Sequence, residues 1–146
     1  MKLVIGGAYQ GKLDYVRSHY AVDAEDILDG NTCPFLSSIP TTTYKGIRDF
    51  HSYIKRYLME VNNLVEAGNP KLDEGSVKEN LIKEMEGFLD SNPNFIIISD
   101  EIGCGVVPMS VFDREYREMV GRICSYLAHI AEEVVRVSCG LGRRLK

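Results

Sequence analysis

The chain has 146 residues, a formal net charge of −4, 45% hydrophobic and 26% charged residues. That length and composition fit a single globular domain, residues 1–146, able to bury a core without staples, and exclude disorder as the main state. A phosphate-backbone binder would be basic, so nucleic acid is not an expected partner, and no apolar run reaches the ~18 residues of a membrane helix.

Lys2 to Ile5 reads as a short buried strand. Gly6-Gly7 stops the apolar run at once, so Leu3–Ile5 does not read as a secretory core. The four cysteines, Cys33, Cys104, Cys124 and Cys139, form no CxxC pair, which disfavours zinc and a disulfide framework. A reduced, cytoplasmic protein without a membrane partner is the expectation.

A glycine-rich turn over residues 6–11 leads into a helix from Gly11-Lys12 to about His19. Residues 25–28 read as a second short strand ending at Asp29-Gly30. Asn31 to Thr43, with two prolines, two serines and four threonines, reads as a loop. Ile47, Phe50, Ile54, Tyr57, Leu58, Val61 and Val65 recur at helical steps, and Gly68-Asn69-Pro70 ends that helix. Ser76 and Glu79 suggest a capping box for the next helix, with Leu81, Ile82, Met85, Phe88 and Leu89 inward.

Phe95-Ile-Ile-Ile98 is an uninterrupted run suited to a central strand buried on both faces. Ser99-Asp100-Glu101 ends it, and a loop from Gly103 to Pro108 follows. Ser110 and Asp113 form a third cap. The helix beyond carries Tyr116, Met119, Val120, Ile123, Leu127, Ile130 and Ala131 on one face. Val134–Val137 reads as the last buried strand, and Arg143, Arg144 and Lys146 as a solvated basic end. Strands alternating with helices imply α/β architecture with a mostly parallel sheet.

Two constellations carry chemistry. Gly6-Gly7-Ala8-Tyr9-Gln10-Gly11-Lys12-Leu13 follows a strand and precedes a helix, the context of a phosphate-binding loop. Convergent backbone N–H groups, a helix N-terminus and the mobile charge of Lys12 suit ATP or GTP phosphates. Leu13 stands where a Ser or Thr hydroxyl ordinarily ligates Mg²⁺, so support for that cofactor is weak. Asp100 and Glu101 end a buried strand, where ligands bind in open α/β sheets. Asp100 or Asp29 would hold Mg²⁺, and Glu101 would orient or deprotonate an attacking hydroxyl.

The sequences GGAYQGK, SDEIGCGVVP and the final stretch from Tyr116 to Lys146 together resemble the adenosylcobinamide kinase / adenosylcobinamide-phosphate guanylyltransferase family of cobalamin biosynthesis. The matching positions are Glu101, Gly103, Gly105, Val107, Pro108, Arg117, Gly121, Arg122 and Gly140. The resemblance implies a three-layer P-loop NTPase fold of RecA type, phosphoryl transfer from ATP or GTP to a cobinamide-type hydroxyl, and a homo-oligomer. Asp29-Gly30-Asn31-Thr32 looks like the family's strand-end Asp-Cys-Leu-Thr.

The departures are specific. Asp100 replaces an Asn, Cys124-Ser125 replace Asn-Gln, and the chain lacks tryptophan. The resemblance implies that the segment bearing the guanylylated histidine is missing between the first helix and Asp29. His51 falls after Asp29 and reads as a surface or flanking helical residue. A nucleotide-binding module without transfer activity, and a different small-molecule kinase, are the competing readings.

Overall fold

A computed structural model describes residues 1–39, 44–67, 69–70 and 73–146. Pro40 to Thr43 of the expected loop and Gly68 of the expected helix stop lie outside them. The elements are β1 (Lys2–Gly6), α1 (Lys12–Tyr20), β2 (Ile27–Asp29), β3 (Gly46–Arg48), α2 (Phe50–Glu66), α3 (Glu74–Ser91), β4 (Ile96–Asp100), α4 (Val111–Ile130), β5 (Glu133–Ser138) and β6 (Leu141–Arg144).

They form one six-stranded sheet in the order β2-β3-β4-β1-β5-β6. All neighbouring strands run parallel except the β5–β6 hairpin. Ile96, Ile97 and Ile98 of β4 alternate between the sheet's faces, and all three are buried. Val4, Ile96, Ile98, Val135 and Val137 meet Val16 of α1 on one face. Leu3, Ile47, Ile97 and Val134 meet Phe50, Leu81, Met85, Ile123 and Leu127 of α2, α3 and α4 on the other. Helix, sheet and helix layers follow from that division, the three-layer P-loop architecture implied by the sequence.

Three local expectations change. Ile47 belongs to β3, not to the helix, because it pairs with Leu28 and Ile97 in the sheet. The cap of α3 is Asp73, whose carboxylate accepts the Ser76 N–H at 2.9 Å. The basic end is not a free tail: Arg143 and Arg144 pair with Arg136 and Val135 as strand β6, and Lys146 Nζ donates to His129 O at 2.7 Å.

The described part of the Asn31–Thr43 loop is tied down. Cys33, Leu36 and Ile39 are buried, and Arg56 donates to Gly30 O and Cys33 O at 2.9 and 2.8 Å. Among the described residues no helix is long and apolar enough to cross a membrane. All four cysteines are free thiols.

Candidate functional site

The chain leaves β1 at Gly6, turns through residues 7–11 and enters α1 at Lys12. Gly11 takes a left-handed conformation (φ 78°) at the helix N-cap, and a Cβ there would lie 3.2 Å from Gly140 Cα. Glycine removes both costs. The turn is braced from the opposite edge of β1. Gly140 N–H donates to Gln10 O at 2.9 Å, and Cys139 N–H donates to Gln10 Oε1 at 2.7 Å. Cys139 and Gly140 both have positive φ, as a two-residue hairpin turn of type I′ requires.

Lys12 is 8% exposed. A charge that buried needs partners, and it has two. Its Nζ donates to Gly7 O at 2.7 Å and forms an ion pair with Asp100 Oδ1. Asp100 is the last residue of β4 and lies in register with Gly6, so the sheet itself sets the acid beside the loop. Leu13 faces the same cleft and packs on the α1-side core.

That cleft encloses about 550 Å³. Ala8 to Leu13 form one wall, and Asn31, Arg48, Asp49, His51 and Ser52 form the other, with Asp100 between them. His51 is therefore in the cleft rather than on the helix surface. Its ring is 15% exposed. Its Nδ1 accepts the Asp100 N–H at 3.3 Å, and its Nε2 lies 3.9 Å from Asp100 Oδ2. Burial, only partly opposed by Asp100 and Asp49, holds the imidazole below its ordinary pKa.

The turn before α2 explains this placement. Asp49 caps the helix in a left-handed conformation (φ 51°), costly for a residue with a side chain. Gly30 packs against it so closely that a Cβ would lie 2.3 Å from Asp49 O. The signal missed in the sequence is Gly46-Ile47-Arg48, a short strand followed directly by Asp49, with His51 two residues on.

Glu101 and Asp29 sit outside this cleft wall. The Glu101 N–H donates to Gly6 O at 3.0 Å, and its carboxylate pairs with Arg136 Nε at 2.9 Å. Glu101 lines an adjoining pocket of about 320 Å³, with Leu3, Ile5, Val120 and Cys124, that also touches Asp100. Asp29 ends β2, with β3 and β4 between it and β1. Burial pushes its carboxyl up, but hydrogen bonds from Asn31 and Arg48 outweigh this and hold it below the usual range. Asn31 and Arg48 face the cleft; Asp29 is not among the residues that line it.

The loop after Glu101 is pinned by α4. Arg117 donates to Val106 O and Gly103 O, both at 2.6 Å, and Arg114 donates to Met109 O at 2.7 Å. Among the described residues, no group of three or more His, Cys, Asp or Glu side chains is arranged to hold a metal ion. The cleft does fit Mg²⁺ brought in with phosphates, because that ion keeps several waters and needs only one or two protein carboxylates.

A family model described as cobinamide kinase / cobinamide phosphate guanyltransferase matches residues 51–145, from α2 to the end of the hairpin. The glycine-rich loop from Gly6 to Lys12 precedes that stretch. The bifunctional adenosylcobalamin biosynthesis protein CobU of Escherichia coli K12 is 37% identical over 51 residues, which cover 35% of this chain and 28% of that protein. The protein of the same name from Salmonella typhimurium is 35% identical over 51 residues, with the same coverage. The matched stretch thus spans less than a third of these relatives' length.

Proposed function

The chain belongs to the cobinamide kinase / cobinamide phosphate guanyltransferase family, and from that premise we propose that it is a nucleotide-dependent kinase acting on a cobinamide-type hydroxyl in cobalamin biosynthesis. The observation that carries the reading is the Lys12–Asp100 pair: a loop lysine and a strand-end acid held together in the lining of a polar cleft.

In this reading the N–H groups from Gly7 to Lys12 face the β- and γ-phosphates of ATP or GTP. Lys12 exchanges its Asp100 partner for phosphate oxygens, a charge-assisted contact of similar strength. Asp100, so released, would help to hold Mg²⁺ when that ion is bound. Bound Mg²⁺ would neutralise charge on the phosphates. Glu101 takes the proton of the acceptor hydroxyl as the oxygen–phosphorus bond forms and the bond to the nucleotide's β-phosphate oxygen breaks. Catalysis is then chiefly positioning and charge stabilisation.

Guanylyl transfer is not part of the proposal. His51 already uses Nδ1 as an acceptor, and the resemblance implies that the family's guanylylated histidine lies in a segment this chain lacks. The same reading includes a cytoplasmic homo-oligomer. A second reading, nucleotide binding without transfer, is favoured by Leu13 alone. Incubating the protein with cobinamide, Mg²⁺ and γ-labelled ATP or GTP separates them: labelled cobinamide phosphate supports the kinase, and tight nucleotide binding without product supports the binding module.

A further inference from the structure

His51 has no part in the scheme above, yet beside the Lys12 ion pair it is a second cleft side chain set against Asp100. It contacts that residue twice, through Nδ1 at the backbone N–H (3.3 Å) and through Nε2 facing Oδ2 (3.9 Å). Lys12 holds the other carboxylate oxygen, Oδ1. The Asp100 carboxylate is thus flanked by a cation on one side and an imidazole on the other, both substantially buried. Because Nδ1 accepts a hydrogen bond, the neutral ring carries its proton on Nε2. Nε2 lies 3.9 Å from Oδ2, beyond hydrogen-bond range, and because the two ring nitrogens point apart, the ring has to turn before that proton reaches the oxygen.

We propose that His51 is a positioning residue for Asp100: when phosphates draw Lys12 away, the His51 Nε2–H closes on Oδ2 and keeps the carboxylate aimed into the cleft. The inference rests on the kinase reading for its timing. Without His51, the departing lysine would leave Asp100 free to rotate, since among the described residues Lys12 and His51 are the side chains paired with it. Leu13 sharpens the requirement. A loop hydroxyl would share the work of ordering a metal ion, and leucine leaves it to the strand-end acid.

The amide variants separate the two contacts. Asparagine sets an acceptor near the place of Nδ1, and glutamine sets a donor near the place of Nε2. With saturating nucleotide, Mg²⁺ and cobinamide, His51→Ala is expected to lower kcat about tenfold, or about 1.4 kcal/mol, with the nucleotide KM within twofold. His51→Gln restores kcat to within threefold of the unsubstituted protein, and His51→Asn does not. Unchanged kcat in His51→Ala, or rescue by Asn and not by Gln, overturns the proposal; the latter pattern would mean that only the backbone contact matters.

A second measurement needs no turnover and keeps the two readings apart. In proton–nitrogen spectra of the protein saturated with a non-hydrolysable GTP analogue, the His51 Nε2–H is expected as a slowly exchanging signal that Asp100→Ala removes. A nucleotide-bound protein with no such signal refutes the role of His51, whether or not cobinamide is phosphorylated. A protein that shows the signal but makes no cobinamide phosphate fails the kinase reading alone.

Discussion

Lys12 opens α1, just after β1, and Asp100 closes β4, the strand paired in parallel with β1, and each is the other's ion-pair partner. The lysine's remaining contact is a carbonyl of its own loop, Gly7 O at 2.7 Å. The site therefore satisfies its buried cation internally. Nucleotide binding has to exchange that satisfaction for phosphate contacts, and several consequences can be measured.

Asp100→Asn should destabilise the free protein by about 1–3 kcal/mol, because a largely buried ammonium loses its charged partner. The penalty should shrink once nucleotide is bound, since phosphate replaces the carboxylate. Urea unfolding with and without saturating GTP checks this. Equal destabilisation in both states would mean that Lys12 never leaves Asp100.

Leu13→Ser should increase the Mg²⁺ dependence of nucleotide affinity about fivefold, within the usual range of coupling between sites. In the unsubstituted protein, Leu13 packs on the α1-side core and offers no lone pair. The expected behaviour is nucleotide binding with shallow metal dependence. Calorimetric titrations with Mg²⁺ and with EDTA give the ratio directly. A strong Mg²⁺ effect in the unsubstituted protein would show that another side chain completes the metal's shell.

No covalent nucleotidyl enzyme should form with α-labelled GTP. Attack through Nε2 needs its lone pair, and the hydrogen bond from Asp100 N–H to Nδ1 leaves the proton on Nε2. An acid-labile label that disappears in His51→Ala would contradict this assignment.

Asp29→Asn should weaken folding and leave nucleotide affinity within twofold. The folded carboxyl titrates below the unfolded value of about 3.9. Its contribution to stability is therefore present above that value and is lost as pH falls through the lower folded one. The unsubstituted protein should lose stability between pH 5 and pH 2 more steeply than the variant. A tenfold loss of nucleotide affinity in Asp29→Asn would instead support a metal or phosphate role for this acid.

The parts of the site that were legible in the sequence are those governed by strong local rules. A strand followed by glycines and a lysine, and an apolar run ending in acids, mark the two strand ends that the sheet sets side by side as Gly6 and Asp100. The opposite wall was not legible. Ile47 stands three and seven residues before Phe50 and Ile54, a spacing that mimics one face of a helix, although sheet pairing fixes Ile47 as a strand. Placing His51 required the left-handed turn at Asp49, which local propensity disfavours and which close packing against Gly30 accompanies. The brace from Gln10 to the β5–β6 turn is a contact across 129 residues of chain. Strand β6 is exposed along its whole length, so it carries no burial pattern to read.

The most direct test of the account is calorimetric titration of GTP and ATP into the unsubstituted protein and into Lys12→Ala, with folding of the variant verified by circular dichroism. The account predicts binding of at least one nucleotide by the unsubstituted protein and a loss of about tenfold or more in the variant, the scale of a charge-assisted phosphate contact of about 1.5–3 kcal/mol. Equal affinity in the two proteins, or no binding of either nucleotide by the unsubstituted protein, would contradict it.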